Sequence, residues 1–273
     1  MTPSSGSFHE FEHAGWEKAA AAYDRSFGEL TRQAIGPLLD AAGAAPGSRL
    51  LDVACGPGYV AAAAARRGSS VVGVDFSSSM VEIAAAANPE LEFRQGDAEK
   101  LDLPDCSFDA VVMNFGMLHL EHPEKAIAEA FRVLRPGGRY AFTVWDVPEK
   151  AVAFGIILQS IKAYGNLNVP MPAGPPFFRF SDPEEGKRAL TAKGFVNTHA
   201  LQVPQSWKLE SGGSLVVTFR TAAVRTAALL NAQTQPALKK IQAEISALVE
   251  PFSTGESIVL PMPAILTCAL RPR

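Results

Sequence analysis

Cysteine is scarce: Cys55, Cys106 and Cys268 are the only three in 273 residues. They lie far apart and in no C-x-x-C arrangement, so neither a disulfide framework nor a zinc or iron–sulfur site is expected. An excess of charge of either sign is lacking too. Twenty-five Lys+Arg stand against 28 Asp+Glu, a formal net charge of -3, and the pI is near 6.0. No global positive field exists to neutralise a phosphate backbone, which argues against a nucleic-acid partner. Basic residues never gather beyond pairs such as Arg66-Arg67 and Lys239-Lys240, which read as solvated helix ends. Long apolar runs are missing: the stretches around Val71–Val74 and Ile258–Leu270 are broken by Gly, Asp or Pro, well short of the roughly 20 residues a spanning helix needs. The opening Met1–Glu12 has no cationic start followed by an apolar run, so no secretory signal and no membrane partner are expected, and the expected location is cytoplasmic. What the chain does have is 47% hydrophobic residues with 22 glycines and 20 prolines, the make-up of a globular protein with a sizeable core.

Residues Met1–Ser7 are small and polar and expected to fray. Trp16, Ala19, Ala20, Tyr23 and Phe27 recur at spacings of three and four, which predicts an amphipathic helix over Phe8–Phe27. A second helix is expected over Thr31–Ala42. Then Arg49–Ala54 (RLLDVA) reads as a buried strand, Gly56-Pro57-Gly58 as a turn, and an alanine-rich run as a helix ended by Gly68. The unit repeats: strand Val71–Val74, a helix over Met80–Ala87 capped by Ser77 or Ser78, strand Leu91–Gln95, strand Phe108–Asn114, helix Pro123–Leu134, and strand Arg139–Trp145 after the turn Pro136-Gly137-Gly138. Short apolar strands separated by helices predict a parallel sheet covered on both faces. After Trp145 the rhythm changes. Helices are expected over Lys150–Tyr164, Pro183–Lys193, Ser214–Leu230 and Gln235–Glu250, with extended segments at Phe195–Glu210 and Ser257–Leu270. The Pro-rich connection Asn166–Pro183, holding Phe177, Phe178 and Phe180, is too long and too aromatic for an idle loop.

Strand, Asp52, Gly56-Pro57-Gly58, helix is the arrangement that carries chemistry. The glycines let the backbone approach a ligand without Cβ interference, and a helix N-terminus offers N–H groups and partial positive charge. The spacing Gly56, Gly58, Ala61 even satisfies G-x-G-x-x-G/A, with Asp75 where a ribose-binding acid belongs. Asp52 separates the candidates: a carboxylate beside the turn repels a pyrophosphate and attracts an ammonium group. A zwitterionic amino-acid tail therefore fits better than a dinucleotide.

Through residues 45–146 the sequence resembles the class I S-adenosylmethionine-dependent methyltransferases. The motifs run in order: Leu50–Gly58 (LLDVACGPG), Val71–Met80 (VVGVDFSSSM), Gly96-Asp97-Ala98 followed by Leu101, Pro104 and Phe108-Asp109, and Phe131–Gly138 (FRVLRPGG). Met117-Leu118-His119 adds a likeness to the ubiquinone and menaquinone biosynthesis methyltransferases. The resemblance implies an α/β, Rossmann-like, doubly wound seven-stranded sheet, its last strand antiparallel, with helical lid or cap elements. It implies S-adenosylmethionine as cofactor, its methionine portion at Asp52, Ala54, Gly56 and Gly58, its ribose and adenine at Asp75, Phe76 and Met80, and its base edge at Asp97 and Ala98. Tyr23, Cys55, Ser77, Gly96, Asn114 and Phe115 complete the expected cofactor set. One domain over 1–273 is expected: lid helix 1–30, cofactor core 31–146, substrate-cap insertions 147–182 and 211–252, and the rest of the core sheet at 183–210 and 253–273.

Methyl transfer from a sulfonium is an in-line displacement, so alignment in a water-poor pocket matters most. His119, after the fourth strand, is the candidate base or substrate-positioning group. Asn114-Phe115-Gly116-Met117 is not the Asn/Asp-Pro-Pro-aromatic motif of amino-directed enzymes, and no carboxylate follows Asn114 before Glu121 to build a metal site. Turnover unaffected by EDTA is the expectation. Phe27, Met117, Leu120, Trp145, Phe177, Phe178 and Phe180 are the candidate pocket for a small, apolar or aromatic methyl acceptor. The rivals are an NAD(P)-dependent oxidoreductase, favoured by the glycine spacing and opposed by Asp52, and a non-catalytic S-adenosylmethionine-binding protein. A protein or RNA acceptor is disfavoured by charge. The sequence does not fix the acceptor, the atom methylated or the oligomeric state.

Overall fold

A computed structural model describes residues 6–273; residues 1–5, part of the segment expected to fray, lie outside it. The chain divides into two compact units. A sheet unit comprises Thr31–Trp145, Gly174–Val203 and Ala264–Arg273, and a helical unit comprises residues 6–30, Asp146–Ala173 and Pro204–Pro263.

The sheet unit is wound from β1 (Arg49–Val53), β2 (Ser70–Asp75), β3 (Glu92–Gln95), β4 (Phe108–Asn114), β5 (Leu134–Trp145), β6 (Val196–Val203) and β9 (Ala264–Leu270), in the spatial order β3-β2-β1-β4-β5-β9-β6. The first five are parallel, and β9 runs antiparallel between β5 and β6. Order and burial agree: β1 and β2 are buried at nearly every position, whereas the edge strands β3 and β6 are largely exposed, as expected where helices cover both faces of the centre. Helices α3 (Ile35–Ala42), α4 (Tyr59–Arg66), α5 (Ser78–Ala87), α6 (Pro123–Val133) and α8 (Pro183–Ala192) belong to this unit. Leu50, Leu51, Phe108, Tyr140 and Phe142 are among its fully buried side chains.

The helical unit holds α1 (Phe8–Arg25), nearly all of α2 (Phe27–Thr31), α7 (Val152–Tyr164), α9 (Gly212–Thr221), α10 (Arg225–Asn231), α11 (Gln235–Val249) and a two-stranded sheet of β7 (Ser206–Leu209) and β8 (Ile258–Pro261). Its N-terminal helix is fixed by a capping box between Ser7 and Glu10 and by a buried ion pair, Arg225 Nε to Glu12 Oε1 at 2.8 Å. The Arg225 guanidinium also lies 4.3 Å over the Phe8 ring. Gly15 lets α1 lie close to Val224, since a Cβ there would come 2.5 Å from Val224 Cγ1.

Four expected elements are divided. Thr31–Ala42 is a 3₁₀ turn at Arg32–Ala34 followed by α3, because Pro37 has no N–H to continue an earlier helix. The expected helix Ser214–Leu230 breaks into α9 and α10, bent by 111°, where Arg225 turns to meet Glu12. The two long extended segments each split at prolines: β6 and β7 at Pro204, β8 and β9 at Met262-Pro263. Each segment therefore leaves one strand in the large sheet and gives the other to the separate β7–β8 pair. No single helix among the described residues is long and apolar enough to cross a membrane.

Candidate active site

The site is built at the carboxyl ends of β1, β2 and β4, where the strand order of an open α/β sheet reverses. At the end of β1 the chain turns through left-handed conformations at Ala54 (φ 54°), Gly56 (φ 51°) and Gly58 (φ 82°) before entering α4. Gly58 is also required by packing, since a Cβ there would lie 2.9 Å from Phe93 Cζ. At Gly56 a Cβ would meet nothing nearer than Met80 Sδ at 4.0 Å, so the backbone there faces open space of the kind a ligand fills.

Asp52 is fully buried. Its Oδ2 accepts the Ala61 N–H at 3.0 Å, so it caps the first turn of α4 from the preceding strand. Its Oδ1 has no partner. Burial pushes the Asp52 pKa up from 3.8 to about 8, against the pull of the Ala61 N–H and with a further push from the Asp75 charge. Its ionised form would need a cationic partner there. Asp75, at the end of β2, is oriented by two backbone donors: the Gly56 N–H on Oδ2 at 2.8 Å and the Ser77 N–H on Oδ1 at 2.9 Å. The acid and the glycine turn are thus one structure. Ser77 in turn caps α5 by accepting the Met80 N–H. The Phe76 carbonyl accepts from the Gln95 side chain, the Gly96 N–H donates to the Asp75 carbonyl, and Asp97 turns the chain by accepting the Glu99 N–H. Ala98 is buried beside that turn. Cys55 is buried, and burial together with the Asp75 charge drives its thiol pKa up, which makes it a packing residue and not a reactive thiol.

At the end of β4, Asn114 donates to the Thr31 carbonyl at 3.2 Å and accepts from the Thr143 hydroxyl at 2.6 Å. Phe115, in a left-handed conformation (φ 57°), donates its N–H to Thr143 and stacks on Trp145 with ring centroids 4.0 Å apart. Gly116 lets this corner close on the glycine turn, because a Cβ there would sit 2.6 Å from Ala54 Cβ.

The aromatic and apolar candidates separate by burial. Met117, Trp145 and Phe180 are core, Phe180 packing edge-on to Phe142. Leu120, Phe177 and Phe178 are half-buried, with Phe177 edge-on to Phe178 at 4.9 Å and to His119 at 6.1 Å. Tyr23 and Phe27 belong to the helical unit, where Tyr23 stacks on Phe27 and Phe27 meets Trp207 at 4.7 Å and Phe219 at 5.4 Å. Phe93 and Thr143 were not singled out by sequence. Thr143 is legible only once its pairing opposite Asn114 in the β4–β5 register is known. Among the described residues no group of three or more His, Cys, Asp or Glu side chains is placed to hold a metal.

Known proteins share this chain's sequence pattern and fold. A family model described as a methyltransferase domain matches residues 51–142, which span β1 to β5. A demethylmenaquinone methyltransferase of Renibacterium salmoninarum is 36% identical over 140 residues, 50% of this chain and 59% of that protein. The chain thus spans less than two thirds of that relative's length. A demethylmenaquinone methyltransferase of Clavibacter sepedonicus is 32% identical over 213 residues, 67% of this chain and 82% of its own. The chain belongs to the class I S-adenosylmethionine-dependent methyltransferases. The family's cofactor fits the site: a methionine ammonium would meet the unpartnered Asp52 oxygen, and the open face of Gly56 admits backbone approach. Among solved structures, the [4+2]-cyclase SpnF superposes with a TM-score of 0.61 at 21% identity, covering 98% of this chain and 97% of that one. That likeness establishes the fold and leaves the reaction to the site.

Proposed function

We propose that this chain transfers a methyl group from S-adenosylmethionine to a small apolar or aromatic acceptor. The observation that carries the reading is Asp52: a fully buried carboxylate with one oxygen unpartnered, next to the Gly56 turn and under the influence of a second carboxylate. A cationic amino-acid ligand would stabilise the ionised form that burial disfavours, whereas the pyrophosphate of a dinucleotide would disfavour it further. Bound S-adenosylmethionine supplies an electrophilic methyl on a sulfonium. The protein's own part is to hold donor and acceptor in line and to exclude water. Asp52 and the Gly56–Gly58 turn would hold the methionine end, Asp75 the ribose, and Asp97 and Ala98 the adenine edge.

His119 is proposed to position the acceptor or to take its proton, since it follows β4 on a 3₁₀ turn and lies edge-on to Phe177. Phe177, Phe178 and Leu120 are the sheet unit's half-buried apolar side chains for the acceptor. Relatives named as demethylmenaquinone methyltransferases favour an aromatic ring over an aliphatic acceptor. A cytoplasmic location accompanies this reading.

Calorimetric titration tests it. S-adenosylhomocysteine should bind one site per chain and NAD should not. Turnover with a panel of phenols, hydroquinones and amines should release S-adenosylhomocysteine, and NAD binding in place of S-adenosylhomocysteine would overturn the proposal.

A further inference from the structure

Phe177 and Phe178 are half-buried, while the residues that follow them are tied into the sheet unit. Phe180 sinks into the core against Phe142, and the Ser181 hydroxyl donates to the Trp145 carbonyl, at the end of β5, at 2.7 Å. Between these anchors and the aromatic pair stands Arg179. Its N–H donates to the Pro176 carbonyl at 3.0 Å and so closes the turn that carries both rings. Its guanidinium reaches two helices at once: Nε donates to Glu185 Oε1 of α8 at 2.8 Å, and Nη2 lies 2.5 Å from Glu124 Oε1 of α6. The same guanidinium lies 4.9 Å over the Phe180 ring.

Two segments are thereby joined at two places. His119 precedes Glu124 at the entrance to α6, and Phe177 precedes Arg179 on the Pro-rich connection. The ion pair of Arg179 with Glu124 is one link, and the edge-on contact of Phe177 with His119, ring centroids 6.1 Å apart, is the other. All four residues belong to the sheet unit, as does the glycine turn on which the end of β4 closes. The charged link does little for stability: its side chains are 28% and 42% exposed, and ion pairs so open to water contribute little. What it supplies is geometry. A planar guanidinium forked between two carboxylates is held in one orientation, and the backbone turn that bears it is held with it.

Resting on the reading above that His119 and Phe177 meet the methyl acceptor, we infer that Arg179 is a positioning residue for an aromatic acceptor, acting through Phe177, whose ring it keeps edge-on to His119. Arg179 itself touches no reacting group. Its contribution therefore falls on acceptor binding and not on the methyl-transfer step.

A double-mutant cycle tests the inference, because a group acting through Phe177 has nothing left to act on once that ring is gone. Initial rates are measured with S-adenosylmethionine and 1,4-dihydroxynaphthalene for the full chain, Arg179→Gln, Phe177→Ala and the double variant. Arg179→Gln should raise the KM for the acceptor about fivefold or more with kcat little changed, and the double variant should match Phe177→Ala. Glu124→Ala severs the link from its other side; it should raise KM in the same way and serves if Arg179→Gln does not fold. An unchanged KM in Arg179→Gln overturns the inference, as does a rise by the same factor with and without the Phe177 ring. A second readout needs no acceptor. The NMR resonances of the His119 ring protons, shifted by the Phe177 ring beside them, should move in Arg179→Gln toward their positions in Phe177→Ala. Resonances that move so support the inference and resonances unmoved overturn it, whether or not 1,4-dihydroxynaphthalene is turned over. Titration of the wild type with S-adenosylhomocysteine separates the two claims. Its failure removes the methyltransferase reading, whereas binding together with additive KM effects removes only Arg179.

Discussion

The two units of this chain stabilise their chemistry in different ways. In the sheet unit, the functional groups are backbone turns and short acids whose places follow from the ends of strands: Asp52 after β1, Asp75 after β2, Asn114 after β4. Each is held by backbone N–H or carbonyl groups. In the helical unit the recurring feature is ring on ring, Trp16–Tyr23, Tyr23–Phe27, Phe27–Trp207 and Phe154–Phe219, together with the buried ion pair of Glu12 and Arg225. A site made from strand ends constrains sequence at fixed spacing, because glycine and aspartate do there what no other residue does. An aromatic cluster constrains only size and apolarity, so many sequences satisfy it. The family match accordingly falls wholly inside the sheet unit, at residues 51–142.

The sharpest way to test the helical unit's dependence on its ion pair is to break it. Glu12→Ala leaves the Arg225 guanidinium, only 13% exposed, without its carboxylate. The expected cost is about 3–5 kcal/mol, read by denaturant unfolding. An unchanged midpoint would show that α1 is held by its apolar face alone.

In the sheet unit, burial divides the phenylalanines of one short segment. Phe180→Ala should cost about 3–5 kcal/mol, since the ring is buried against Phe142. Phe177→Ala should leave the thermal midpoint within about 1 °C, as expected for a half-exposed site, and raise the KM for the acceptor severalfold with kcat little changed. Equal destabilisation by both would make Phe177 core as well.

Much of the sheet is legible in the sequence. Apolar strands of four to seven residues ending in Gly, Asp or Asn announce a parallel sheet, and β4 has the very bounds that its composition predicts. The caps were legible as well: Ser77 and Gly68 stand where short polar and left-handed residues end helices. Breaks imposed by tertiary contact were not. Nothing local in Thr221–Arg225 says that the chain must turn there, between α9 and α10, with Arg225 paired to Glu12 more than two hundred residues earlier, and the division of two long extended segments between separate sheets depends on which partner each half finds. The second duty of Asp52 was hidden for the same reason. Spacing marks it as a ligand residue, and only the folded turn shows it capping α4 through Ala61.

Asp75→Ala tests the cofactor half of the comparison. It removes the acceptor of the Gly56 and Ser77 N–H groups along with the proposed ribose contact. S-adenosylhomocysteine affinity should fall at least tenfold, about 1.4 kcal/mol or more, in a calorimetric titration. An unchanged affinity would remove Asp75 from the site.

The smallest expected effect is also the most specific, and it concerns pH. Asp52 has its pKa raised from 3.8 to about 8 by burial, so in the ligand-free protein the carboxyl is neutral where an unfolded chain would be ionised. A raised pKa contributes stability that is complete below about pH 4 and is lost as pH climbs through the folded value of about 8. Between pH 6 and 9 the ligand-free thermal midpoint should therefore fall by about 2–4 °C for each kcal/mol withdrawn. Asp52→Asn, which cannot ionise, should flatten that decline. Saturation with S-adenosylhomocysteine should flatten it in the wild type too, because the ammonium group pairs with the ionised carboxylate and so favours the form that the empty site disfavours. If wild type and Asp52→Asn declined in parallel, with and without ligand, the buried acid would be a helix cap and nothing more, and the cationic end of the ligand would have to be held elsewhere.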